Sequence, residues 1–151
     1  MNTYAEVTTD CLKIINSENL VTYKMQQLCN LLDARLENYD WTGFYTADLD
    51  KNTLLLGPYK GAPTSHTSIP FGKGICGQAA ESKKTFLIDN VEEQTNYIAC
   101  SIHVKSEIVV PIIKDGIVVA QIDIDSHIPA AFSKKDQELL ESICTELAPY
   151  F

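Results

Sequence analysis

The chain has 151 residues and a formal net charge of -8, an acidic balance that argues against nucleic acid or an anionic membrane as partner. Hydrophobic residues make up 45% and charged ones 21%, so the chain reads as one ordinary globular domain over 1–151, neither disordered nor in need of staples. No apolar run is long enough to span a bilayer, and the first residues lack the basic and apolar regions of a signal peptide. The cytoplasm is therefore the expected compartment, where the five cysteines (Cys11, Cys29, Cys76, Cys100 and Cys144) should be mostly reduced. No two of them have C-x-x-C spacing and the histidines are scattered, so no metal or cofactor is expected.

The first predicted element is a helix over 3–16, with Tyr4, Val7, Cys11, Leu12, Ile14 and Ile15 near a helical period. A second helix is predicted from about Leu20 to Asn38, with Val21, Met25, Leu28, Leu31, Leu32 and Leu36 as one packing stripe. Cys11 and Cys29 fall on these helices and are assigned to packing. The chemistry then changes to that of a strand at 39–45. Alternation places Trp41, Gly43 and Tyr45 on one face and Thr42 and Phe44 on the other. A polar turn at 48–52 leads into a returning strand over 53–59. The Trp-Gly-Tyr face could be ordinary buried surface or the wall of a small pocket.

A polar loop or weak strand from Gly61 to Ser68 carries His66. Glycines 72, 74 and 77 then precede a short helix at roughly 75–82. Accessible amides at a helix start suit an anion, and they also ease deprotonation of a thiol such as Cys76. The Gly-Lys-Ser/Thr ending of a phosphate loop is missing. A short strand at 85–88 is followed by a polar stretch from Asp89 to Lys105 that carries Cys100. Its length favours a site loop.

The most informative stretch follows. Glu107 opens the apolar run 108–113, Lys114-Asp115-Gly116 reads as a turn, and a second apolar run ends in Ile122-Asp123-Ile124-Asp125. Two β-branched runs around such a turn signal a hairpin. Asp123 and Asp125 share a face, and the hairpin brings Glu107 beside them with Cys100 on the way in. The plainer alternative is a solvated strand end with an edge charge at Glu107. Ser133 and Asp136 then look like the capping box of a last helix ending near Leu147, with Cys144 packed on it. The element order suggests an α+β fold (an α/β sandwich) with a central antiparallel sheet and helices mainly on one face.

Four segments carry a family resemblance. They are Ile69-Pro-Phe-Gly-Lys-Gly-Ile-Cys-Gly-Gln-Ala, Ser106-Glu-Ile-Val-Val-Pro-Ile, Gly116-Ile-Val-Val-Ala-Gln-Ile-Asp-Ile-Asp-Ser and Phe132-Ser-Lys-Lys-Asp. Together they resemble the GAF domain, most members of which are sensors. Trp41-Thr-Gly-Phe-Tyr, Leu56-Gly-Pro-Tyr and Ile98-Ala-Cys-Ser narrow the match. With them, nearly the whole chain resembles the free methionine-(R)-sulfoxide reductases, single GAF domains that reduce the free amino acid. That resemblance implies Cys100 as nucleophile. It implies Glu107, Asp123 and Asp125 around the sulfoxide oxygen and the ammonium group, and Trp41 and Tyr45 as pocket walls. Cys76 matches the middle of three family cysteines. The first lies ten residues earlier, where this chain has His66. Resolution would then fall to Cys76 or to an external thiol, with a thioredoxin-like partner as reductant. Should neither serve, the chain would be a non-catalytic GAF sensor for an amino-acid-like ligand. Cyclic nucleotides suit it less, because the acidic cluster would repel a phosphate. The apolar terminal helices suggest a homodimer.

Overall fold

A computed structural model describes residues 3–94 and 103–151. The chain order is α1 (Thr3–Ile15), α2 (Val21–Arg35), β1 (Trp41–Asp48), β2 (Thr53–Lys60), β3 (Ser68–Pro70), α3 (Gly74–Ser82), β4 (Phe86–Ile88), β5 (Ser106–Lys114), β6 (Ile117–Ser126) and α4 (Lys134–Leu147). The strands form one six-stranded antiparallel sheet in the order β3-β2-β1-β6-β5-β4. This is the expected α+β arrangement.

The β5–β6 hairpin is fixed by its turn. Lys114 pairs with Ile117, leaving Asp115 and Gly116 as a two-residue loop. Both have positive φ, 53° and 78°, the conformation that matches the right-handed twist of the flanking strands. Aspartate and glycine tolerate it; a β-branched residue there would not.

Alternation along the strands separates two apolar clusters. Phe44 of β1, Ile108, Val110 and Ile112 of β5, and Ala120, Ile122 and Ile124 of β6 pack under α1, α2 and α4. Trp41 and Tyr45 of β1, Val109 of β5 and Val118 of β6 pack on the other side with Ile75, Cys76, Ala79 and Ala80 of α3. Among the described residues, three helices thus cover one face and the short α3 alone sits on the other.

Asp136 ties the helical layer together. Its Oδ2 accepts from the Ser133 amide at 2.8 Å, making the expected capping box of α4. Its Oδ1 accepts from the Tyr39 hydroxyl at 2.7 Å and the Tyr4 hydroxyl at 3.1 Å. One buried carboxyl therefore fixes the start of α4 against α1 and the entry to β1.

Two elements differ from expectation. The second helix stops at Arg35 and not at Asn38: Leu36 is already extended (φ -116°, ψ 122°), and Asn38 then takes the left-handed conformation (φ 67°). Ser68–Pro70 forms an edge strand on β2, a position where proline is tolerated. Neither has a hydrophobic alternation long enough to be read from sequence.

Candidate active site

The register of three neighbouring strands assembles the site. Glu107 of β5 lies opposite Asp125 of β6, and Trp41 of β1 lies opposite the same aspartate from the other side. One step along, Gly43 is opposite Asp123, and Tyr45 is opposite Gln121. All these side chains fall on the α3 face. Glu107, Asp123 and Asp125 are 3%, 0% and 1% exposed, so they are not a solvated strand end.

Cys76, on the first turn of α3, points its thiol down onto this cluster and donates to Glu107 Oε2 at 3.8 Å. One donor atom each from Cys76, Glu107 and Asp123 lies within 4.8 Å of the other two. This sulfur-and-two-oxygen set is the place where the described residues could hold a small cationic or polar group. Neither oxygen of Asp123 has a well-formed hydrogen bond among the described residues, and Glu107 and Cys76 are its polar neighbours. Burial raises the Asp123 pKa, with the neighbouring Glu107 and Cys76 pulling it part of the way back. A carboxyl so placed holds its proton longer than an ordinary aspartate does.

The position of Cys76 near a helix start led to the expectation of an easily deprotonated thiol. The structure reverses it. Burial, followed by the charges of Asp123, Glu107 and Asp125, pushes the Cys76 thiol well up. The helix dipole supplies only a partial charge, and burial of Cys76 among three carboxyls outweighs it. The other described cysteines lie in the helical cluster across the sheet. Burial pushes Cys11 up to about 12 and raises Cys29 and Cys144 as well, in keeping with packing roles.

The glycine-rich entry to α3 also differs from an anion cradle. The Gly72 amide donates to the Gly77 carbonyl and the Gly77 amide to the Lys73 carbonyl. A Cβ on Gly77 would lie 2.5 Å from the Pro70 carbonyl oxygen, so the glycine serves close packing of α3 on β3. A Cβ on Gly72 would meet the Glu81 carboxylate at 2.4 Å, an acidic neighbour that an anion would avoid.

The walls are aromatic. Trp41 folds its indole over Gly43, where a Cβ would stand 2.3 Å from the ring, and stacks on Tyr59 with centroids 5.5 Å apart. The gap expected at Gly43 is therefore filled by the tryptophan itself. Trp41 Nε1 donates to the Ala62 carbonyl at 3.0 Å, and the buried Tyr45 hydroxyl donates to the His66 carbonyl at 3.0 Å. These bonds hold the 61–67 loop, and with it position 66, against the pocket wall. A cavity of about 250 Å³ opens between Trp41, Asp125 and Val104, rimmed by His103 and His127. Larger grooves of about 480, 490 and 310 Å³ lie elsewhere on the surface of the described residues and do not touch the carboxyl cluster.

Cys100 lies outside the described residues. The chain re-enters at His103 and buries Val104 in the site-side cluster before β5 begins. Gln121 was missed from sequence, although it continues the alternation of Asp123 and Asp125. It is fully buried, and its amide donates to the Cys76 carbonyl at 2.9 Å, fixing the start of α3 over the sheet. Tyr59 was missed too, because its partner across the sheet could not be known without the register. No helix of the described residues is long and apolar enough to cross a membrane.

Comparison with known proteins agrees with this layout. The GAF domain family model matches residues 24–150. Free methionine-R-sulfoxide reductase of Saccharomyces cerevisiae is 37% identical over 142 residues, covering 86% of this chain and 78% of that one. GAF domain-containing protein A of Dictyostelium discoideum is 38% identical over 131 residues, covering 83% and 82%. The X-ray structure of free methionine-R-sulfoxide reductase from Neisseria meningitidis in complex with its substrate superposes with a TM-score of 0.93 at 32% identity, covering 98% of this chain and 87% of that one. With a family match over most of its length, and relatives of this identity and coverage, the chain belongs to the GAF domain family, in the branch that includes the free methionine-R-sulfoxide reductases.

Proposed function

We propose that this protein reduces free methionine-R-sulfoxide to methionine. The observation that carries the reading is the buried cluster of Cys76, Glu107 and Asp123 under an aromatic wall, in a chain similar to reductases of that substrate. Three carboxyls without a described lysine or arginine among them suit a cationic ammonium group and a protonatable oxygen; they do not suit a phosphate.

Cys100 is the nucleophile in this reading. Its thiolate attacks the sulfoxide sulfur. The S–O bond breaks as the oxygen passes to the cysteine, leaving methionine and Cys100 sulfenic acid. Glu107 and Asp125 orient the oxygen and the ammonium. Asp123, whose pKa is raised by burial, is the proton donor to the oxygen as negative charge develops on it. Trp41 and Tyr45 enclose the methyl-sulfinyl end. Cys76 is held as a thiol, which keeps it from competing for the substrate. It then condenses with the sulfenic acid, releasing water and forming a Cys76–Cys100 disulfide. A thioredoxin-type dithiol reduces that disulfide. The proposed unit of function is one domain over the whole chain.

The presence of His66 where the family has its first cysteine favours one competing reading, a GAF sensor that binds an amino acid without turning it over. The test is NADPH consumption in a thioredoxin-coupled assay with free methionine-R-sulfoxide. Steady turnover of the R epimer, with the S epimer and peptide-bound sulfoxide left unreduced, supports the reductase. Tight binding with no NADPH consumed supports the sensor.

A further inference from the structure

The α3 face of the sheet buries more acceptors than the described residues supply with donors. Asp123 is 0% exposed, and neither of its oxygens has a well-formed hydrogen bond among them. Gln121 lies two residues earlier on the same face. It too is 0% exposed and its Oε1 has no such bond, while its amide nitrogen is engaged by the Cys76 carbonyl. Buried oxygens without donors are costly unless a proton or a cation meets them. Lys24, the buried lysine of the described residues, is no partner. It belongs to α2, across the sheet, and its Nζ stands 3.3 Å from the centre of the Tyr150 ring.

The atom that faces these oxygens from α3 is a sulfur. Cys76 Sγ is 3.8 Å from Glu107 Oε2, and one donor atom each from Cys76, Glu107 and Asp123 lies within 4.8 Å of the other two. Tetrahedral Zn²⁺ binds thiolate at about 2.3 Å and carboxylate oxygen at about 2.0–2.2 Å, which sets sulfur and oxygen about 3.5 Å apart. The Cys76–Glu107 pair already stands near that spacing, and a side-chain shift of no more than about 1–1.5 Å brings Asp123 to it. Hard cations such as Mg²⁺ and Ca²⁺ take oxygens alone, whereas a thiolate beside carboxylates suits Zn²⁺. Asp125, opposite Glu107 in the register, lines the cavity of about 250 Å³ and gives an ion its way in.

We propose that Cys76, Glu107 and Asp123 form a binding site for Zn²⁺, and that its occupancy reversibly blocks the reductase. The site stands on the geometry; the block rests on the function proposed above. A bound ion displaces the thiol proton and holds Cys76 as a coordinated thiolate, unable to condense with a Cys100 sulfenic acid. It also takes the carboxyl groups that otherwise meet the oxygen and ammonium group of the sulfoxide. The three ligands come from α3, β5 and β6, and 31 and 16 positions separate them in the chain, which is why no metal-ligand spacing shows in the sequence.

Co²⁺ is the probe, because a cobalt–thiolate bond gives a charge-transfer band that oxygen ligands do not. Reduced, chelator-treated protein titrated with Co²⁺ should develop this band up to about one ion per chain; Zn²⁺ should abolish it and excess Mg²⁺ should not. Cys76→Ser should lose the band and Cys100→Ser should keep it. Asp123→Asn, which keeps the thiol and the shape, should weaken Zn²⁺ binding by at least about tenfold, and it decides the matter if Cys76→Ser fails to fold. Stoichiometric Zn²⁺ should stop methionine formation in a single turnover by reduced wild type, and a chelator should restore it. No band in wild type, a band that persists in Cys76→Ser or is lost in Cys100→Ser, or an Asp123→Asn variant that binds as tightly as wild type overturns the site. Unchanged methionine formation with the site filled overturns the block. If wild type forms no methionine even without Zn²⁺, the reductase reading falls and the block with it, while the cobalt titration still decides the site.

Discussion

Asp123→Asn should separate what the buried carboxyl does for catalysis from what it does to stability. In the folded protein Asp123 is 0% exposed and neither oxygen has a well-formed hydrogen bond among the described residues. Burial raises its pKa above the ordinary 3.8. Between that value and the folded-state pKa, the folded protein binds more protons than the unfolded chain. Stability therefore falls as pH rises through this window, and the penalty is complete above the folded pKa. Each unit of elevation costs about 1.4 kcal/mol, or about 3–5 °C in melting temperature for a chain of this size. Asparagine keeps the shape and carries no charge, and its amide can donate to the adjacent Glu107. Thermal melts of both proteins at about pH 4.5 and about pH 8 check this. The variant should be at least as stable as wild type at the higher pH, with its advantage shrinking toward the lower one, while kcat/KM falls by about a hundredfold through loss of the acid. A variant less stable by the same margin at both pH values would refute the reasoning, because it would show Asp123 to be favourably paired.

Three other outcomes follow from named contacts. Asp136→Ala removes the acceptor of the Tyr39 and Tyr4 hydroxyls and of the Ser133 amide, and should cost about 3 kcal/mol, lowering the melting temperature by about 6–12 °C. Turnover well below the melting point should be retained, since these groups lie on the helical side. Gly43→Ala places a Cβ 2.3 Å from the Trp41 ring and should cost about 1–3 kcal/mol of overpacking. Because Trp41 is the single tryptophan, a shifted fluorescence maximum and a raised KM should appear together; an unchanged spectrum would mean the indole is not seated there. After one turnover without reductant, mass spectrometry should find a Cys76–Cys100 disulfide, and His66→Cys should add a 66–100 disulfide and raise turnover with thioredoxin. A lasting Cys100 sulfenic acid would assign resolution to an external thiol, and a His66→Cys variant without the new bond would show that position 66 does not reach the nucleophile.

Much of this is legible in the sequence. The β5–β6 hairpin announced itself through two β-branched runs around Asp115-Gly116, and period-two alternation was enough to put Asp123 and Asp125 on one face. Ser133 and Asp136 gave the start of α4. What alternation could not supply was the neighbour across the sheet. That β1 lies between β2 and β6 is a matter of topology, and it alone brings Trp41 to Asp125, Gly43 to Asp123 and Tyr45 to Gln121. The titration of Cys76 was misread for a related reason. Sequence shows the local helix start but not the three carboxyls arriving from distant strands, and these dominate. His103 and His127 looked scattered in sequence, 24 positions apart, until the hairpin closed between them.

The most direct test of a cysteine-based sulfoxide reductase is single-turnover product formation. Reduced protein, in excess over free methionine-R-sulfoxide and with no other reductant present, is quenched and its methionine quantified beside the Cys100→Ser variant. Wild type should convert the sulfoxide to methionine with the loss of about two thiols for each product formed, and Cys100→Ser, whose hydroxyl is a far weaker nucleophile, should form none. Equal methionine from the two proteins, or tight binding of the sulfoxide by wild type with no methionine at all, would contradict it.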